Sequence, residues 1–166
     1  MDNENTSQKI LIFKPELPDR NEYGAMEDIY YIVYISTATK PMSEAELDEF
    51  LVDIRKRNKK LGVTGMLLYN RGNFIQVIEG KEEKIKQLFN DISRDERHNT
   101  LVKILEGHTE ERLFPDWSMG YRKISNRQSS RIRGFSNFMN DELSMEQLIG
   151  SAGEIMEILN SFKRHT

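Results

Sequence analysis

Gly62-Val63-Thr64-Gly65-Met66-Leu67-Leu68-Tyr69-Asn70-Arg71-Gly72-Asn73-Phe74-Ile75-Gln76-Val77-Ile78-Glu79-Gly80 is the stretch on which the fold turns. Val63 to Tyr69 is apolar, Asn70 to Asn73 carries turn chemistry, and Phe74 to Glu79 is mainly apolar again. Two such runs around a short Asn- and Gly-containing connection read as a β-hairpin. Gly80 closes it.

Helices are expected on both sides of this hairpin. Before it, Ser43 with Glu46 three residues on forms a capping box. Leu47, Phe50, Leu51 and Ile54 then recur at i, i+3, i+4 and i+7, one apolar face. After it, Ile85, Leu88, Phe89 and Ile92 repeat that spacing over roughly 82–93. Further out, Ile29-Tyr30-Tyr31-Ile32-Val33-Tyr34-Ile35 is aromatic and β-branched, and apolar on both faces, as a central strand requires. A strand at about 101–106, a polar connection over 107–113 and a strand near 117–123 complete the order β-α-β-β-α-β-β. That α+β pattern predicts a ferredoxin-like sandwich, a mixed five-stranded sheet with two helices on one face.

The domain organisation follows from what remains. Residues 1–28 read as an N-terminal arm whose only apolar cluster is Ile10 to Phe13, followed by Pro15 and Pro18. Residues 29–125 are the folded domain. Residues 126–166 read as a C-terminal helical extension, with Leu148, Ile155, Met156, Leu159 and Phe162 as expected buried positions and Ser144 as a possible helix start.

A chain of 166 residues suits one domain with short extensions. Its 24 Lys and Arg against 27 Asp and Glu leave a formal net charge of -3, which argues against a broad nucleic-acid footprint. With no Cys there is no disulfide framework, thiolate metal site or Cys nucleophile. Apolar runs are too short to span a membrane, and residues 1–28 lack the apolar core of a signal peptide. A cytoplasmic protein without a membrane or nucleic-acid partner is expected.

Strand parity singles out two residues. Gln76 shares a strand face with Phe74 and Ile78, and Tyr34 with Tyr30 and Ile32. In a ferredoxin-like sheet the first and third strands are neighbours, so Tyr34 and Gln76 can meet on the helix side in apolar surroundings. A buried amide needs partners, since each unpaired polar group costs about 1–3 kcal/mol. Taken alone the pair reads as a polar staple in the core, or Gln76 faces water on the other face. Asn58, near the end of the first helix, is by itself an ordinary C-terminal helix residue.

Together the blocks are more specific. Asn58, the hairpin quoted above, Val33-Tyr34-Ile35-Ser36, Asp95-Glu96-Arg97-His98, and Arg112, Phe114 and Trp117-Ser118-Met119 stand in the order and spacing of one family. The chain resembles the BLUF family of flavin-based blue-light sensors over about 29–123. The resemblance implies FAD bound noncovalently between the two helices. It makes Tyr34 the residue that donates an electron and then a proton to the excited flavin. Gln76 is implied to bridge Tyr34 and the flavin, and to rearrange its hydrogen bonds by rotation or tautomerisation, giving a small, reversible red shift. Asn58 is implied to bind the flavin pyrimidine edge, and the basic pair Arg97 and His98 to lie near its ribityl and phosphate part. Trp117 and Met119, two apart on the expected last strand and so on one face, are implied to change position or partners near Gln76, with Met119 also contacting the cofactor.

Arg57 and Asp91 are departures. Other members carry other polar residues beside Asn58, and some offer a basic residue where Asp91 stands. A carboxylate turned inward there would repel a diphosphate, which leaves FMN open beside FAD. His108 is expected to be exposed. The implied role is that of a photoreceptor, not an enzyme, signalling through the C-terminal extension to a downstream protein or to a second subunit in a homo-oligomer. The alternatives are a non-photoactive flavin-binding protein or reductase, an acylphosphatase-like hydrolase, and an RNA-binding sheet. No Gly-x-Gly-x-x-Gly is present for a nicotinamide cofactor. The hydrolase's candidate loop, Ser36-Thr37-Ala38-Thr39, lacks the required Arg. Tyr30, Tyr31 and Phe74 could stack bases, but without a basic surround.

Overall fold

The computed structural model describes residues 28–123, together with 153 and 155–157. Its elements are β1 (Ile29–Ala38), α1 (Glu44–Leu61), β2 (Thr64–Asn70), β3 (Asn73–Gly80), α2 (Glu82–Ser93), β4 (His98–Thr109) and β5 (Gly120–Lys123). The sheet order is β4-β1-β3-β2-β5, antiparallel throughout except for the parallel β2–β5 pair. This is the mixed ferredoxin-like sheet the sequence predicts.

The local signals explain the elements. Ser43 caps α1 as expected: its side chain accepts from Glu46 N–H while the Glu46 carboxylate accepts from Ser43 N–H. Gly62 ends the helix in the left-handed conformation at φ 67°. The hairpin turn is Arg71-Gly72, both at positive φ (48° and 88°), the backbone twist that two-residue hairpins favour. Asn70 and Asn73, read as part of the turn, are instead the last and first residues of the flanking strands.

Both helices bury their apolar faces on one side of the sheet. Leu47, Phe50, Leu51 and Ile54 of α1 and Ile85, Leu88 and Ile92 of α2 join Tyr30, Ile32, Tyr34, Leu67 and Ile78 in one core. Phe89 is only partly buried against it. Val33, Ile35, Leu68, Ile75, Val77, Val102 and Ile104 build a second core on the opposite face. There Ile155 is fully buried and Met156 partly so, within a helical turn at 155–157. The remaining expectations for the arm and the extension, including Leu148, Leu159, Phe162 and the Ser144 start, lie outside the described residues.

Three boundaries differ from expectation. β4 runs from His98 to Thr109, beyond the expected 101–106 at both ends, because His98 and Asn99 pair with Ala38 and Thr37 of β1, and His108 and Thr109 with Tyr30 and Ile29. Its register with β1 slips between Val33 and Tyr34, a bulge beside the residue of greatest interest. β1 continues to Ala38, so Ser36 to Ala38 is strand and not the phosphate loop that a hydrolase would need. β5 begins only at Gly120, which corrects the reading of Trp117 and Met119. They precede the strand, alternation does not apply to them, and they lie on opposite sides of the sheet: Met119 in the helix-side core, Trp117 against the second core.

Candidate functional site

The antiparallel register sets Tyr34 directly opposite Gln76. Both are buried on the helix side, at 1% and 4% exposure. The Tyr34 hydroxyl donates to Gln76 Oε1, and Gln76 Nε2 donates to Met119 Sδ at 3.6 Å. The amide therefore gives its acceptor end to a good donor and its donor end to a thioether, a weak acceptor. Burial pushes the Tyr34 phenol pKa up, with Arg57 opposing and Asp95 reinforcing, so the hydroxyl is protonated at neutral pH. The Phe89 ring meets Tyr34 edge-on at 5.4 Å between centroids.

Asn58 faces the same interior from the last turns of α1 and is fully buried. Its Nδ2 donates to the Ser118 carbonyl at 2.8 Å, while its Oδ1 is buried with no partner. Arg57 Nε is likewise buried and unpartnered. Buried polar atoms are nearly always satisfied, so two orphans on adjacent residues point to a missing polar group. An acceptor (Asn58 Oδ1) beside a cationic donor (Arg57) suits the imide edge of a flavin, which offers an N–H between two carbonyls. The residues present fit that cofactor.

At the far end, His98 opens β4, with Nδ1 3.0 Å from Ser36 Oγ and its ring 5.5 Å from that of Phe74. Burial lowers its pKa, Asp95 opposes this and Arg97 adds to it, leaving the ring neutral near pH 7. The expected basic pair is thus one cation and one neutral ring. Arg97 carries the charge, held by Asp95 at 2.5 Å and lying over the Phe50 ring at 4.8 Å. A cleft of about 450 Å³ opens here, with the cations Arg97 and Lys40 set among the carboxylates Glu46, Glu49, Asp53 and Glu96. Lys40 was not singled out from the sequence; its signal was a lone Lys between the first strand and the α1 cap. Asp91 is exposed, and the feared inward carboxylate is absent. His108 is exposed as expected and pairs with Asp28 at 2.9 Å.

A family model described as "BLUF: Sensors of blue-light using FAD" matches residues 29–120, more than half of the chain. The chain belongs to the BLUF family. Among its relatives is the photoactivated adenylate cyclase subunit beta of Euglena longa, 36% identical over 89 residues. The match covers 53% of this chain and only 10% of that protein. The dark-state structure of the BLUF protein BlrB superposes with a TM-score of 0.62 at 27% identity, covering 81% of this chain and 98% of that one. Klebsiella pneumoniae BlrP1 with FMN and cyclic diGMP gives 0.56 at 25% identity, over 76% of this chain and 34% of that one. BLUF domains bind flavin, FAD by the family description, and the BlrP1 structure is one with FMN; by the same description the domain is of the sensor type. Among the described residues no helix is long and apolar enough to cross a membrane, and no cluster of side chains could hold a metal.

Proposed function

We propose that the chain is a blue-light receptor whose switch is the Tyr34–Gln76 hydrogen bond, and whose output passes through Met119 and Trp117 to the C-terminal segment. The observation that carries this is the buried run from phenol to amide to thioether. Asn58 and Arg57 would hold the pyrimidine edge of a bound flavin on the side of Tyr34, Gln76 and Met119, and Arg97 and Lys40 are the cations that would meet its phosphate end among the cleft's carboxylates, with His98 steadied by Ser36. Bound FAD supplies the blue absorption and, once excited, a strong electron acceptor.

Tyr34 is the oxidisable group. Loss of an electron makes its phenol strongly acidic, and the proton leaves along the hydrogen bond to Gln76 Oε1. The Gln76 hydrogen bonds then rearrange, either by rotation, which exchanges the two ends of the amide, or by tautomerisation, which moves a proton from its nitrogen to its oxygen, and Tyr34 recovers its electron and proton. A rotated amide turns its carbonyl toward Met119 Sδ, which cannot donate, so the Gln76–Met119 contact is lost, whereas a tautomerised one keeps a single N–H on that side and the contact is weakened. The apolar surround slows relaxation through water, making a two-state element set by a local event.

The output reading rests on where the segment 117–119 lies. Met119 sits in the core beneath the helices and Trp117 packs behind the sheet with Phe114, in the cluster that also holds Ile155 and Met156. Movement at Met119 is thereby coupled across the sheet to the extension and on to a downstream protein or a second copy of the chain. A chain without Cys suits a cytoplasmic setting. Infrared light-minus-dark spectra test the switch: a tyrosine ring band and a glutamine amide band are expected, the first lost in Tyr34→Phe and the second in Gln76→Leu. Spectra with neither band would overturn it. Identical tail hydrogen exchange and elution in light and dark would overturn the output.

A further inference from the structure

The connection from β4 to β5 carries Met119, yet residues 110–119 contribute no strand of their own. It is held by side chains and by single backbone bonds. At its start, the fully buried Glu79 carboxylate accepts from the N–H groups of Leu113 and Phe114, both at 2.7 Å, and from the Thr64 hydroxyl at 2.9 Å. At its end, three successive carbonyls are taken in turn. Gly65 N–H donates to Trp117 O at 3.0 Å, Asn58 Nδ2 to Ser118 O at 2.8 Å, and Arg55 Nε to Met119 O at 2.9 Å. Arg55 and Asn58 are three apart, on one edge of α1, so a single helix grips adjacent peptides of the connection.

We infer that Arg55 is a positioning residue for the light switch, setting Met119 Sδ against Gln76 Nε2 by holding the Met119 carbonyl. This rests on the Tyr34–Gln76 reading above. Met119 is one peptide away from the β5 ladder, and its thioether is long and easily rearranged. Sulfur accepts hydrogen bonds weakly, so the Gln76 contact cannot hold the segment by itself. Arg55 supplies a charge-assisted bond from the far side of the same residue, and being exposed it adds nothing to the apolar core. With the carbonyl fixed, the resting amide orientation has one defined partner to return to after light. With it loose, Gln76 Nε2 loses that partner in both directions of the cycle.

The test uses the full chain with methyl-labelled methionine, comparing Arg55→Leu and Arg55→Lys with the wild type and assigning the Met119 methyl by its loss in Met119→Leu. In the dark, with and without flavin, Arg55→Leu should move the Met119 resonance while leaving in place the methionines away from the cleft that Arg55 shares with Met66 and Met119. Dark recovery after blue light should slow by about fivefold, equivalent to about 1 kcal/mol at 1.36 kcal/mol per tenfold. Arg55→Lys, which keeps a cationic donor, should return both readouts part-way. An unmoved Met119 resonance, or recovery within about twofold of wild type by the same conversion, would overturn the role of Arg55. A wild type without any light response would instead overturn the switch, and the dark methyl resonance would still decide whether Arg55 sets Met119.

Discussion

Replacing Asn58 with Ala separates binding from folding, because its two polar ends have different fates. In the flavin-free protein only Nδ2 is used, on Ser118 O, while Oδ1 is buried without a partner. Deleting the side chain strands the Ser118 carbonyl, at a cost of about 1–3 kcal/mol for a buried group. Ser118 is only half-buried, so water holds that cost to the lower end. Removing the unsatisfied Oδ1 returns a similar amount, and the net loss of flavin-free stability should be about 1 kcal/mol or less. With flavin bound, Oδ1 has a partner, so the same substitution forfeits that bond as well. The binding free energy should weaken by about 1.5 kcal/mol, close to a tenfold rise in Kd. Urea unfolding of the flavin-free protein and a flavin fluorescence titration read the two numbers separately. Unchanged affinity would refute the assignment of Oδ1 to the cofactor. A flavin-free loss above about 4 kcal/mol, the size of a core cavity, would mean that Asn58 is structural.

Tyr34→Phe should keep flavin binding and abolish the reversible red shift, since it removes both the oxidisable phenol and the donor to Gln76; a retained shift in the visible spectrum would refute its role. Gln76→Leu should likewise bind flavin and lose the shift, leaving Tyr34 without its acceptor. Hydrogen bonds from Arg97 hold the Asp95 carboxyl down at about 2 against the opposing effect of burial. Its folded value lies below the unfolded one, so the stability it contributes is present above about pH 4 and is lost as pH falls toward 2. Acid titration of Asp95→Asn should lack that part of the slope, and a superimposable titration would count against the Arg97 contact.

Much of the fold was legible because its signals are local. Ser43 and Glu46 sit within one helical turn, the stretch Asn70 to Asn73 marks the hairpin within two residues, and the i, i+3, i+4 faces need no knowledge of their partners. The Tyr34–Gln76 contact was legible in part: parity groups the residues that share a face and the first and third strands of this topology are neighbours, but which face turns to the helices is set by the tertiary packing. The errors arise where structure depends on distant pairing. β5 is four residues long and exists through parallel pairing with Met66 to Tyr69, so nothing local marks its start at Gly120. Extending the strand back to Trp117 put two residues on one face that the chain sends to opposite ones. The polar end of β4, Gly107 to Thr109, read as a loop, because an edge strand tolerates polar residues such as His108. Arg55 was hidden for another reason. Its partner is a carbonyl, which any residue supplies, and its helical position looks like plain solvated surface.

Visible absorption of the purified protein, recorded in the dark and again just after blue light, tests the central claim most directly. The account predicts flavin bands that shift slightly to the red on illumination and return in darkness. Flavin bands that do not move would contradict the Tyr34–Gln76 switch, and a colourless protein that takes up neither FAD nor FMN would contradict the site itself.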